Sequence, residues 1–312
     1  MAILKTNNSF YKYDSSDILS SNLVNMLSYG LLETGAFTNV IFNSAMSGYT
    51  TLKTSYDDRT GGSRYTYEGL GPSWNWEKNI SLIEGTLQPF VPSGVFVNNV
   101  FYLTSTTSGT YGHHIDFQNG RVIFSSKLSK TDVVKCEYSF KDIAIYLSDS
   151  PQWKTIINEY QSKFDNISDN NPSGISMILK DKRVWLPCIV IENENNSRRG
   201  LMLGGGEIEE HRVYYHIFSD LPFSNRKLCD LLNNQQQTVI NLYNINTAPF
   251  PYEYNGSLNP SGLDYKNLST GEHFWTHAFI SKSTGGPIES KFDLYRGEIV
   301  QDIELDRYIY TY

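Results

Sequence analysis

The chain predicts an α+β fold: a β-rich first half with long hairpins behind one N-terminal helix, and a second half in which strands and helices alternate. Three observations carry this. Apolar residues recur at helical spacing near the start, at Ile18, Leu19, Leu23, Met26, Leu27 and Leu31. Two turn signals, Asn98-Asn99 and Asn119-Gly120, each separate runs of apolar and aromatic residues. Beyond residue 150, strand-length apolar runs alternate with helical patterns. At roughly 150 residues per domain, 312 residues suggest two domains. The expected division is 1–149, the helix plus a hairpin-rich region, and 150–312, an α+β region with C-terminal strands and an extended Tyr-rich tail.

The elements follow in chain order. Ser15, Ser16 and Asp17 are N-cap candidates for a helix reaching Leu32, and Gly35 ends it. From Val40 to Arg64 periodicity is lost, and TTLKTSYDDRTGGSR has the composition of a loop. Of the two hairpins, Asn119-Gly120 is the stronger turn signal because both residues accept positive φ. VVKCEYSFKDIAIYL alternates as one long half-buried strand that bends near Asp142. Pro151 opens a second helix running to about Phe164, since its missing N–H costs nothing at the first helical position. Strands are expected at 175–179, 184–191 and 212–218, a third helix from Asn225 to Asn233 or beyond, and a further strand in TVINLYNI.

Composition narrows the function. The net charge of −7, from 26 basic and 33 acidic residues, argues against a general nucleic-acid binder, which holds its polyanion through Lys and Arg. Charged residues are only 19% of the chain and aromatic residues 14%, so Asn, Ser, Thr and Tyr must cover much of the surface. Such surfaces suit proteins that bury their outside against partners. The first ten residues lack a signal-peptide pattern, and no apolar run is long enough to span a membrane. The expectation is therefore a soluble protein with no membrane partner. Cys136, Cys188 and Cys229 are odd in number and far apart, which fits buried, reduced thiols.

Each group of residues that could carry chemistry has a plainer reading in the sequence. His273 and His277 have a zinc-protease spacing, but Phe274 stands where the motif needs Glu, and the segment alternates like a strand. In a strand, His114 and Asp116 share one face and His113 takes the other, which breaks up a three-ligand set. His211 and His216, near Glu207, Glu209 and Glu210, read as the charged approach to a strand. Gly204-Gly205-Gly206 is followed by acidic residues that would repel phosphate, so it is expected to make a bulge or turn. No nucleophile elbow is present, and no catalytic, metal or cofactor site is expected.

Several segments together resemble a family of virion structural proteins of contractile-tailed bacteriophages, of the neck type. They are SYGLLETGAFTNV, TLKTSYDD, GPSWNWEKNISL, PSGVFVNNVFY, IDFQNGRVIFSSKLSKTDVVKCEYSFKDIAIYLSD, RVWLPCIVIE, and LMLGGGEIEEHRVYYHIFSD followed by RKLCDLLNNQQQTVINLYN. The likeness covers roughly residues 3–246, and Trp74-Asn75-Trp76-Glu77 departs from the family's Trp-Val-Trp-Glu run while keeping its alternation. The second half also resembles the small α+β ring proteins at the head-proximal end of phage tails, the tail terminators. The resemblance implies a homo-oligomeric ring between head and tail, acting as connector or tail terminator in the virion. Its implied partners are copies of itself and other head, neck or tail proteins, with DNA passing through the ring without specific binding. Alternatives are a baseplate or tail-fibre attachment protein, or a carbohydrate-binding module whose aromatic platforms stack on sugars. Trp74, Trp76, Phe96, Phe101 and Tyr111 are the expected inter-subunit contacts. The competing use of Trp74 and Trp76 is to fill the subunit's own core.

Overall fold

The computed structural model describes residues 14–55, 63–77, 82, 87–104, 108–154, 184–200, 207–248, 268, 271–291 and 294–307. The fold is mixed α+β and rich in strands. Its described residues form two compact units: 26–142 in one, and 14–25, 143–248 and 268–307 in the other. The two units divide at 142/143. The first helix does not belong wholly to the hairpin-rich unit, however, because its first eleven residues, 15–25, belong to the other.

That helix, α1 (Ser15–Gly30), is capped one residue earlier than the sequence suggested. The Asp14 carboxylate accepts from the Asp17 N–H at 3.0 Å, and the Asp17 carboxylate accepts from the Asp14 N–H at 3.3 Å. This is a reciprocal capping box, and acidic groups in the first turn also suit the helix dipole. Gly35 lies beyond the helix in a turn with φ of +65°, where a Cβ would stand 2.2 Å from the Ser28 carbonyl oxygen. Only glycine fits there.

The unit of residues 26–142 holds nine short strands. A pair is made by β1 (Phe37–Val40) with β9 (Tyr138–Lys141). A four-stranded antiparallel sheet joins β2 (Lys53–Ser55), β3 (Thr66–Glu68), β7 (Arg121–Phe124) and β6 (His113–Asp116), in that order. A three-stranded sheet has β5 (Val100–Leu103) and β8 (Val134–Lys135) on either side of β4 (Gly94–Val97). The expected loop from Val40 to Arg64 therefore contains a strand, β2, too short to show periodicity. One apolar core unites these pieces, with Trp74, Tyr138, Val97, Val122 and Phe124 all buried. Trp74 is 1% exposed and stacks on Tyr138 with ring centroids 4.1 Å apart. Its indole N–H donates to the Gly71 carbonyl at 2.9 Å, and its backbone N–H to Phe117 at 2.7 Å. Trp74 thus fills the unit's own core, which corrects its assignment to an inter-subunit contact.

The two hairpins reverse their expected character. Asn98 and Asn99 both have positive φ, 52° and 67°, and form a two-residue turn of the mirror-image type that matches strand twist. At the second hairpin the pairing of Asp116 with Arg121 leaves a four-residue loop, and only Gly120 has positive φ. The Asp116 carboxylate determines this by accepting from the Asn119 N–H and pairing with Arg121 at 2.8 Å. A Cβ on Gly120 would also meet the Gly71 carbonyl oxygen at 2.1 Å.

In the other unit six strands form one sheet in the order β10 (Ala144–Leu147), β11 (Cys188–Gly200), β12 (Glu207–Ser219), β15 (Leu294–Arg307), β14 (Phe274–Lys291), β13 (Val239–Tyr243). Only β10 and β11 pair in parallel. The longest hairpins among the described residues are here, β11–β12 and β14–β15, rather than in the N-terminal half. The one long strand expected through Asp142 is broken into β8, β9 and β10, with its last break at the boundary between units. Helix α2 (Pro222–Asn233) starts on Pro222 and buries Leu228, Cys229 and Leu232. The face bearing Asn193, Val213, Tyr215 and Gln301 carries both α2 and the first turns of α1. Gln301 donates to the Leu232 carbonyl at 3.0 Å, and Asn193 to Ser16 Oγ at 3.0 Å. A helical turn does begin at Pro151, whereas residues 155–183, with the expected strand at 175–179, and Gly204–Gly206 lie outside the described residues.

Replacing Trp74 with Ala removes a buried ring stack and leaves a cavity. The expected loss is about 3–5 kcal/mol in the unfolding free energy, read from urea denaturation.

Candidate functional site

Four places in the described structure gather polar or exposed apolar groups that packing alone does not require. The first is a hydrogen-bonded chain beneath α1. His211 is 2% exposed, with Nδ1 3.2 Å from Asn193 Oδ1 and Nε2 3.6 Å from the carboxylate of the equally buried Glu209. The Asn193 amide in turn donates to Ser16 Oγ and to Ser20 Oγ at 3.2 Å. Through the Asn193 amide the arrangement ties helix to sheet.

On the other face of the same sheet, His216 has Nε2 2.9 Å from Glu192 and Nδ1 3.3 Å from Glu298, while Trp153 stacks over its ring at 4.9 Å. A polar concavity of about 470 Å³ on this sheet is lined by Glu194, Ser197, Glu210, Arg212, Asp302 and Glu304. Arg212 pairs with Asp302 at 3.0 Å, and Ser197 donates to Glu210 at 3.1 Å. Among the described residues no group of three His, Cys, Asp or Glu is arranged to hold a metal ion. His273 and His277 have separate partners, Glu272 and Asn241. His113 is buried against Phe124, and burial holds its imidazole below the usual range. The three cysteines are free and buried, with burial pushing the Cys188 thiol up to about 12.

The third place brings the opposite charges of Glu77 and Lys141 within each other's influence, without a direct ion pair, in the unit of residues 26–142. Burial pushes Glu77 up to about 7, opposed by a hydrogen bond from Tyr29 and by the charge of Lys141. Burial likewise pulls Lys141 down to about 8, opposed by Glu77. Asn75 organises the site: it accepts from the Tyr29 hydroxyl at 3.0 Å and donates to the backbone carbonyls of Glu77 and Pro89. The Lys141 ammonium lies 5.9 Å from the centre of the Phe37 ring.

The fourth place is strand β5. Val100 is 55%, Phe101 43% and Leu103 51% exposed, and among the described residues no strand pairs with the outer edge of β5. From Gly85 to Gly112 the sequence contains no Asp, Glu, Lys, Arg or His. The edge therefore lacks the charge, bulge or proline by which sheet edges are ordinarily protected from pairing with other chains. Of the expected contact residues, Phe101 stands on this edge, tilted against the half-buried Phe96 at 4.9 Å. Tyr111 is half-buried against Tyr102 at 4.8 Å, and Trp76 packs on the core. Val100 and Leu103 were missed by sequence reasoning, although the charge-free run around them was there to be read. A further exposed apolar set, Trp185, Leu221, Phe223 and Ile288, lies where β11 starts, β12 ends and β14 nears its turn into β15.

No protein-family model matches the chain, and no curated protein matches its sequence. No helix among the described residues is long and apolar enough to cross a membrane.

The opposed shifts of Glu77 and Lys141 make a signed prediction. The raised Glu77 withdraws stability as pH rises from about 4.5 to about 7, and the depressed Lys141 restores it as pH rises from about 8 to 10.5. Lys141→Met leaves Glu77 without its counter-charge. The variant should lose about 1–2 kcal/mol more at pH 8, where Glu77 is ionised, than at pH 5, where it is neutral, read from urea midpoints at the two pH values.

Proposed function

We propose that the protein is a structural component of a tailed-phage virion, a neck subunit that forms a ring between head and tail as connector or tail terminator. The observation that carries this reading is β5: an open strand edge with three exposed apolar side chains in a charge-free stretch. A lone soluble subunit gains nothing from such an edge and risks aggregation through it, whereas an assembling subunit buries it. The segments that resemble neck proteins include this hairpin, PSGVFVNNVFY. The long β11–β12 and β14–β15 hairpins and the strand–helix order of the other unit fit the likeness to tail-terminator rings. With a net charge of −7, the subunit offers passing DNA no general counterion-release attraction. Trp74 lies in the core and Trp76 packs against it, so these two tryptophans offer no sugar-stacking platform.

Sedimentation velocity of the full chain tests the reading. Oligomers that grow with concentration are expected, together with labelling of the neck in intact particles. A monomer at every concentration that never joins a particle would end the proposal, and labelling at the baseplate would move it to the other end of the tail.

A further inference from the structure

Strand β5 does more than present an apolar surface, because its backbone specifies a partner. In a hairpin closed by a two-residue turn, the residues flanking the turn, here Val97 and Val100, form a hydrogen-bonded pair, and such pairs recur at every second residue. The Thr104 N–H donating to the Ser93 carbonyl at 3.0 Å is the next-but-one such pair and fixes the phase. Val100, Tyr102 and Thr104 therefore spend their backbone groups on β4, while the N–H and C=O of Phe101 and Leu103 point outward. Among the described residues these outward groups have no backbone partner.

We infer that β5 pairs, antiparallel and edge to edge, with β5 of a second copy of this chain, about a two-fold axis at Tyr102. In this register Phe101 exchanges two hydrogen bonds with Leu103 of the second copy, and Leu103 does so with its Phe101. Tyr102 faces its own counterpart as the non-hydrogen-bonded pair. The alignment leaves none of the four outward N–H and C=O groups unpaired and brings only apolar or aromatic side chains into register. It joins two three-stranded sheets into a continuous six-stranded one, β8-β4-β5-β5-β4-β8.

Charge favours this occupant over an unrelated one. Two copies of a chain with net charge −7 repel, and the stretch from Gly85 to Gly112 is a place where they meet without bringing charge together. The nearest charges at the hairpin, Asp132 and Lys135, are turned to Asn98 and Asn99 on the β8 side, away from the open edge. No charge on the edge is available to select a basic or acidic partner. An isologous contact of this kind pairs copies two at a time and does not itself close a ring, which takes a second, head-to-tail contact on another surface. The inference rests on the self-assembly reading above and adds to it the contact and its symmetry.

Cysteine cross-linking of the full chain tests it, since the three native cysteines are buried. Opposed residues of a non-hydrogen-bonded pair have Cα atoms about 4.5 Å apart, within disulfide reach. Tyr102→Cys should therefore give a covalent dimer on mild oxidation. Val100→Cys lies two residues off the axis and should not. Leu103→Pro removes an outward N–H without touching the β4 ladder and should abolish dimers in sedimentation while leaving the unfolding midpoint of the monomer little changed. Equal cross-linking at positions 100 and 102, or oligomers that survive Leu103→Pro, would overturn the β5 pairing and leave assembly through another surface. A wild-type chain that stays monomeric would overturn both.

Discussion

A β-strand can bury its side chains only where its backbone N–H and C=O groups are paired, and the organisation of this chain follows from how it meets that requirement. The fifteen described strands pair almost wholly antiparallel, in pieces of two to four residues in one unit and up to eighteen in the other. Each sheet must end somewhere. The ends are treated differently: β6 carries Asp116 beside Arg121, and β13 pairs His277 with Asn241 near its edge. At β5, among the described residues, the same requirement is left open on a strand with exposed apolar side chains.

The rest of the structure serves to hold such edges rigidly. In the unit of residues 26–142, strands this short cannot hold together by pairing alone, and the Trp74–Tyr138 stack with the surrounding aliphatic core supplies the burial. The charges of Glu77 and Lys141 are held there at a cost in stability. Desolvation opposes both charges, yet Asn75 uses the site to fix the backbone at Glu77 and Pro89, just ahead of β4. In the six-stranded unit, polar groups do the comparable work. Asn22 bonds both the N–H and C=O of Tyr243, and Asn193, His211 and Glu209 continue the tie from α1 into the sheet. Satisfied amide networks of this kind select one packing of helix on sheet over its alternatives.

Much of this architecture is legible in the residues. The apolar periodicity of α1, Pro222 and the leucines of α2, and the alternation in β12 and β13 mark elements whose local pattern agrees with their burial. Where reading fails, a longer-range contact has decided. Asp116 converts the Asn119-Gly120 turn into a four-residue loop, and Asp14, not a serine, caps α1 because Asp17 reciprocates. The break at Asp142 follows from the passage between units, which alternation cannot encode. Trp74 and Phe101 looked alike as aromatic residues in strand-like runs, yet one is the centre of a core and the other lies on an edge. Burial of an aromatic side chain depends on what the fold brings over it. The open edge itself was signalled by the missing charges between Gly85 and Gly112.

The account stands on the outward amides of Phe101 and Leu103 being satisfied by another chain. Hydrogen exchange of those two amides, followed at increasing protein concentration, measures this directly. Protection that rises with concentration at Phe101 and Leu103, while Val100 and Tyr102 stay protected throughout, is the predicted result. Exchange at Phe101 and Leu103 that is fast and indifferent to concentration, in a protein shown by its other amides to be folded, would contradict it.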